Sequence, residues 1–308
     1  MSVTARNIAG SAAAIVLLAI APLVVQSTYI VGVLTVAVIY GLWAASWDFM
    51  SGLTGRENFG YALFIGAGAY TAGFLDTAYF VNPWWSLPAG VIAAVAFSFV
   101  LGFPTLRLKG PYFALAMLSG AAIMQRLMLI FWEKTGGEEG LYGIQPLLGS
   151  QLGFYYLVLA VTAASVLVLV LIARSPWGVI LRAIRGDEAS CQAAGINVTF
   201  YKLASLAISA GFGGLGGALY AHYQLQVSPQ LFSVVTTITV IIMVYVGGMG
   251  SIFGAVGGAV LLTLLTELLR DFGEWRLLIY SLVLILILFF LPAGLIAPLW
   301  KRLRGGPV

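Results

Sequence analysis

Ten apolar runs, all but the short eighth close to the roughly 20 residues that carry an α-helix through a bilayer, follow one another along the chain with little polar sequence between them. They fall at about 8–25, 29–50, 59–80, 84–106, 112–132, 153–173, 203–225, 232–246, 252–268 and 277–296. Only 8% of the 308 residues are charged, against about 25% in an ordinary soluble domain. A water-soluble globule is excluded. The expected fold is all-α: a polytopic transmembrane helical bundle of about ten spans, forming one transmembrane domain over residues 1–308. The two runs flanking Gly247 read either as two spans or as a re-entrant hairpin.

Basic loops concentrate on the cytoplasmic side of a membrane, so the fifteen Lys and Arg residues test this count. With the N-terminus inside, Arg6, Arg56, Arg107, Lys109, Arg174, Arg182, Arg185, Lys202, Lys301, Arg302 and Arg304 lie in inner loops. Lys134, Arg270 and Arg276 lie outside, and Arg126 falls within a span. Acidic Glu133, Glu138, Glu139, Asp271 and Glu274 also collect outside. Both termini are therefore expected in the cytoplasm. Arg6 followed by an apolar run and Ala19, Ile20 and Ala21 has elements of a signal peptide, but Pro22 at the would-be cleavage point argues for a retained first span.

The chain offers little to catalysis. One cysteine, Cys191, and one histidine, His222, leave no zinc-ligand spacing, so neither a metal nor a cofactor is expected. No G-x-x-x-x-G-K-[ST] phosphate loop occurs in the sequence, and any nucleotide hydrolysis belongs to other polypeptides. His222 and Ser251 would fall on opposite sides of the membrane, too far apart to serve as base and nucleophile. Ionisable residues within spans are functional candidates by default, here Asp48, Arg126 and Glu267. All three lie near a membrane surface, where long side chains reach water.

Many of the 37 glycines fall inside apolar runs, notably Gly66 and Gly68, Gly211 to Gly217, and Gly247 to Gly258. Small residues let helices approach closely in lipid; paired glycines can also break helices and free backbone groups to line a polar passage. Both readings stay open. The 174–202 connection is the longest on the inner side. Asp187 after Gly186 is placed to cap a short helix from Glu188 to Ala194, which Gly195 would stop. Such a helix either docks into a partner or lies on lipid headgroups beside Arg182 and Arg185.

The run from Arg174 to His222, "RSPWGVILRAIRGDEASCQAAGINVTFYKLASLAISAGFGGLGGALYAH", resembles the cytoplasmic loop and following span of branched-chain amino acid ABC importer permeases of the LivM type. So do "FIGAGAYTAG", "LRLKGPYFALAML", "TGGEEGLYGI", "GGMGSIFGAVGGAVLLTLLTELLR" and "LPAGL", in order along most of the chain. The resemblance implies a permease domain over 1–308, with residues 174–202 as its coupling loop. It implies an inner-membrane subunit paired with a second, similar permease, two ABC ATPase subunits and a periplasmic or extracellular solute-binding protein. By the same resemblance Arg182, Arg185, Asp187, Glu188, Ala189 and Gly195 carry the ATPase contact.

The implied activity is alternating access driven by ATP, moving branched-chain or other hydrophobic amino acids inward. Phe64, Gly66, Gly68 and Tyr70 are expected to line the passage, as are Gly247, Gly248, Gly250 and Ser251. Urea or short amides are the alternative solutes, and a stand-alone channel or ion-coupled carrier is the rival class. One departure stands out. Family members commonly read G-Q-x-S-x-G-H before the third span, where this chain has Gly55, Arg56, Glu57, Asn58, Phe59, Gly60 and Tyr61. Met124 and Gln125, ahead of Arg126, also depart from the family's Glu-containing variants. If such positions touch solute, its identity is atypical.

Overall fold

A backbone in hydrocarbon must satisfy its own hydrogen bonds, and this chain does so almost wholly with helices. The computed structural model describes residues 18–22, 27–108 and 110–270, with Trp275 and Ile285. In chain order these hold α1 (Thr28–Thr54), α2 (Ala62–Tyr79), α3 (Pro83–Thr105), α4 (Pro111–Ile130), α5 (Trp132–Thr135) and β1 (Leu141–Tyr142). Then come α6 (Gln151–Arg174), α7 (Pro176–Gly186), α8 (Glu188–Ala193), α9 (Val198–Gln224), β2 (Gln226–Val227), a 3-10 turn (Pro229–Phe232), α10 (Val234–Gly247) and α11 (Ile252–Leu268). Most of the first expected span, all of the tenth but Ile285 together with "LPAGL", and the charged residues Arg6, Lys109, Asp271, Glu274, Arg276, Lys301, Arg302 and Arg304 lie outside the described residues.

Among the described residues five helices, α1, α3, α4, α6 and α9, are long and apolar enough to cross a membrane. The runs around Gly247 form α10 and α11, bent by 113° across a four-residue break, and bring the number to six if the pair counts once. At 1.5 Å per residue, helices of 14 and 17 residues reach about 21 and 26 Å, short of the roughly 30 Å hydrocarbon core. A bend of this size across a short break is the geometry of a broken span or a re-entrant loop. The chain is a multi-pass helical membrane protein.

Two features escaped the apolar pattern. Besides the expected short helix after Asp187, the 174–202 connection holds a second one, α7, which carries a buried stripe of Gly178, Leu181 and Ile184 at helical spacing. A two-residue antiparallel ribbon pairs Leu141 with Val227 and Tyr142 with Gln226. Neither is long enough to register as an apolar run.

The described residues belong to two units, one within Met1–Ala45, Leu148–Leu167 and Ile241–Val308, the other formed by Ser46–Leu147 and Val168–Val240. In the second unit α2, α3 and α9 pack on one another along a glycine seam. A Cβ on Gly68 would sit 2.1 Å from the Gly214 carbonyl oxygen, one on Gly214 would lie 2.4 Å from the Ala94 Cβ, and one on Gly217 2.1 Å from the Ile65 oxygen. Close backbone approach of this kind is how helices associate without a hydrophobic driving force. In the first unit a Cβ on Gly247 would lie 2.0 Å from the Gly254 oxygen, and one on Gly258 2.1 Å from the Met243 oxygen. Those contacts hold the bend between α10 and α11.

Candidate functional site

The Arg174-to-Lys202 segment builds a small platform of its own. Pro176 starts α7, with Ser175 before it, and Asp187 starts α8 by accepting the Ala189 amide at 2.9 Å. The Ser190 hydroxyl, first, and the Ala189 amide hold the Asp187 carboxyl below the usual carboxylate range. At the far end Gly195 takes the left-handed conformation (φ +81°). The Ile196 amide then donates to the Cys191 carbonyl at 3.0 Å and the Gly195 amide to Gln192 at 3.0 Å, a Schellman stop. Ile184, Cys191 and Val198 form the core beneath, flanked by Ile180, Ile196 and Tyr201. Cys191 is a buried free thiol within that core.

Charged side chains fasten this platform to the membrane helices. Glu188 accepts Arg56 through Nε at 3.1 Å and Nη2 at 2.8 Å, and Lys202 Nζ at 3.0 Å. The Arg56 side chain is 11% exposed, that of Lys202 4% and that of Glu188 31%, so the cluster is far less screened than a surface pair. Arg56 also donates to the Leu108 carbonyl at 2.5 Å. Arg185 donates to the Gly52 carbonyl at 2.6 Å and Arg182 to the Ala173 carbonyl at 2.9 Å, satisfying acceptors in the last turns of α1 and α6, where helices leave carbonyls free. All four charged positions of the expected coupling set are thus engaged within the chain. Asp187, Ala189, Ser190, Gln192, Ala193, Ala194 and Gly195 are exposed, and Cys191 is buried beneath them.

Burial works to raise the Glu188 carboxyl, but hydrogen bonds from Arg56 and Lys202 outweigh it and hold the group below its ordinary range. A carboxyl lowered in the folded state adds stability that is present above its ordinary value and vanishes as pH falls through the lowered one. The platform therefore stays anchored down past the usual glutamate value of about 4.3. A spin label at Ala193→Cys is expected to gain mobility only below that pH, and release at higher pH would contradict the tie.

The departing residues at 55–61 do structural work here. The Asn58 Oδ1 accepts the Gly60 amide at 2.9 Å, its backbone oxygen accepts Trp47 Nε1 at 2.8 Å, and the Tyr61 hydroxyl bonds Ser46. Arg56, read from sequence as an inner-loop cation and as a departure from the family pattern, is the partner of Glu188. Its signal was a lone cation placed where the resemblance leads one to expect glutamine.

The expected passage residues fall into separate settings. Phe64, Gly66, Gly68 and Tyr70 are all buried on α2. Gly68 belongs to the seam with α9, which is the close-approach reading of its role. Gly66 faces Phe232 of the 3-10 turn, where a Cβ would lie 2.5 Å from the ring edge. The Tyr70 ring stands 5.5 Å from that same ring, and its buried hydroxyl has no hydrogen-bond partner among the described residues. Gly248 (φ +105°) and Gly250 (φ +83°) turn the chain between α10 and α11, while Ser251 caps α11 through the Gly254 amide at 3.2 Å.

Buried titratable groups missed by the apolar pattern are also tied. His222 lies between Ser86 Oγ and the Gln145 carbonyl, each at 2.7 Å, and Asp76, in the last turn of α2, accepts the Gln145 amide at 2.5 Å. Of the ionisable span residues singled out, Asp48 is buried, Glu267 meets Arg270 at 3.5 Å, and Arg126 borders an open cavity.

The described residues thus combine membrane-crossing helices, an anchored amphipathic platform and glycine-built helix seams. The chain matches the family described as branched-chain amino acid transport system / permease component over residues 29–291, and it belongs to that family. It is 33% identical over 295 residues to the high-affinity branched-chain amino acid transport system permease protein LivM of Salmonella typhimurium, covering 86% of this chain and 69% of that one. The Escherichia coli protein of the same name is 32% identical over 312 residues (92% and 73%). The probable branched-chain amino acid transport permease protein LivM of Methanocaldococcus jannaschii is 26% identical over 238 residues (67% and 68%). No solved structure matches the chain.

Proposed function

We propose that this chain is a permease subunit of an ATP-driven ABC importer that carries branched-chain or other hydrophobic amino acids across the inner membrane. About ten apolar segments enter the bilayer, both termini are cytoplasmic, and the 174–202 platform is the lever on which the ATPases act. The family match over residues 29–291 is the observation that carries this reading. The anchored platform supports the coupling role: a short helix rigidly tied to α1 and α9 transmits displacement, whereas a loose loop would absorb it. The importer further comprises a second homologous permease, two ABC ATPases and a solute-binding protein. ATP binding favours one arrangement of the paired permeases and hydrolysis releases it, since differential affinity for two states is what drives a conformational cycle.

Reconstituting the chain with its companion permease, ATPases and binding protein in vesicles is expected to give ATP-dependent accumulation of labelled leucine, isoleucine and valine. Accumulation of urea or short amides in their place would overturn the solute assignment. Uphill uptake by the chain alone, without ATP, would overturn the importer reading.

A further inference from the structure

We propose that the cavity between α4 and the 3-10 turn is a receiving site for the zwitterionic head of a hydrophobic α-amino acid. The inference rests on the proposed transport of such solutes and assigns them a place. The cavity has a volume of about 420 Å³ and is lined by Gln125, Arg126, Leu129, Glu138, Pro229 and Gln230. That volume falls within the roughly 300–1,000 Å³ of small-molecule sites. Its wall brings one cation and one anion to a single concavity, and among the described residues neither is spent in an ion pair. Arg126 is not in the last turn of α4, so it does not serve as a charge at that helix end.

An α-amino acid presents a carboxylate and an ammonium group on one carbon. A guanidinium can grip the first through two parallel hydrogen bonds, and a carboxylate with amide oxygens can accept the three donors of the second. Arg126 and Glu138 supply these two groups, Gln125 and Gln230 supply adjustable amides, and Leu129 and Pro229 leave an apolar wall for the side chain. A solute bearing only one charge would leave one of the pair unanswered.

The frame is fixed without a ligand. Gly136 (φ +76°) and Gly140 (φ +85°) hold the segment bearing Glu138 in a conformation that a side chain would disfavour. A Cβ on Gly140 would lie 2.0 Å from the Val227 carbonyl oxygen, so this segment is pressed onto the ribbon that leads into the turn. The turn itself is closed by the Leu231 amide to Ser228 at 3.1 Å and by Thr236 Oγ1 to the Gln230 carbonyl at 3.1 Å.

The same four-residue turn joins the cavity to the α2 passage candidates. Pro229 and Gln230 line the cavity, while Phe232 abuts Gly66 and faces Tyr70, whose hydroxyl is buried and unpartnered among the described residues. A solute seated on Arg126 and Glu138 is therefore one short turn away from an aromatic stopper and, next to it, a polar group able to accept or donate a hydrogen bond. Movement of that turn would open the step from receiving site to passage.

The test uses the assembled importer in lipid nanodiscs without binding protein, with ligand contact read by saturation-transfer NMR. L-leucine is expected to bind, and 4-methylpentanoate and 3-methylbutylamine, which lack the ammonium and the carboxylate respectively, to bind at least about tenfold more weakly. Arg126→Gln and Glu138→Gln are each expected to weaken leucine about tenfold, and the exchange Arg126→Glu with Glu138→Arg to recover part of the loss. Equal binding of leucine and its single-charge analogues, unaltered binding by the variants, or no leucine binding at all would overturn the proposal. So would variants that bind leucine normally but no longer engage the binding protein, which would make this face a docking surface. The analogue comparison on the unaltered importer stands even if a variant misassembles. Importer that takes up leucine normally with both variants in place refutes the cavity alone, whereas unaltered importer that takes up no branched-chain amino acid refutes the transport reading.

Discussion

Gly68→Val is expected to remove most folded protein from the membrane. The Cβ would lie 2.1 Å from the Gly214 carbonyl oxygen, 2.5 Å from its Cα and 2.6 Å from its carbonyl carbon. All three are backbone atoms of α9, so no rotamer change relieves the clash and the helices must separate. Overpacking a core usually costs about 1–3 kcal/mol, and displacement of a helix axis belongs at the upper end or beyond. The damage would spread, because Gly90, Gly214 and Gly217 join the same seam. Fluorescence-detected size exclusion of a tagged importer reads the folded yield, with Gly149→Ala and Gly186→Ala as controls where a Cβ meets nothing within 4 Å. Gly66→Ala should be milder in yield, since it meets the Phe232 ring, a side chain that can turn. Normal folded yield from Gly68→Val with uptake lost would show that Gly68 lines the passage instead of holding the seam.

That distinction marks how far the sequence could be read. Helices over 28–54, 83–105 and 111–130 were legible within a few residues because a bilayer demands long apolar runs and the chain supplies them. The cap at Asp187 and the stop at Gly195 were legible too, since both are local and each follows from the chemistry of one side chain or its absence. Glycine seams were visible as glycine, but not as contacts. Nothing in the spacing of Gly68 and Gly214 says that they meet across two helices. Helix α7 was hidden because 11 residues make a helix too short for a span and because its polar face made it resemble a loop.

The anchoring charges were the least legible part, for a physical reason. An Arg or Glu in a connection reads as solvated unless its partner is known, and the partner of Glu188 lies 132 residues earlier. The resemblance implies an outward contact at 182–195, and Arg182, Arg185, Asp187 and Glu188 each also bond within the chain. Ala189, Ser190, Gln192, Ala193 and Ala194 are exposed on the same platform that these bonds anchor.

Reversing Glu188 is therefore expected to uncouple the importer through loss of position rather than loss of contact. Glu188→Arg would place a third cation beside Arg56 and Lys202, whose side chains are 11% and 4% exposed. Breaking a fully buried pair costs about 3–5 kcal/mol. Here Glu188 is 31% exposed, and solvent screening reduces the penalty below that range. Even a smaller penalty suffices to free an 11-residue and a 6-residue helix that have only a small core beneath them. Amide exchange over residues 187–196 should rise, and leucine uptake should fall by at least about tenfold, a change of 1.4 kcal/mol in coupling. The decisive variant is the exchange Arg56→Glu with Glu188→Arg, which restores the attraction between positions 56 and 188 with its sign inverted, though not the tie to Lys202. Recovery of both amide protection and uptake identifies Glu188 as a positioning residue. If protection returns without uptake, the Glu188 carboxylate acts in coupling beyond holding the platform in place.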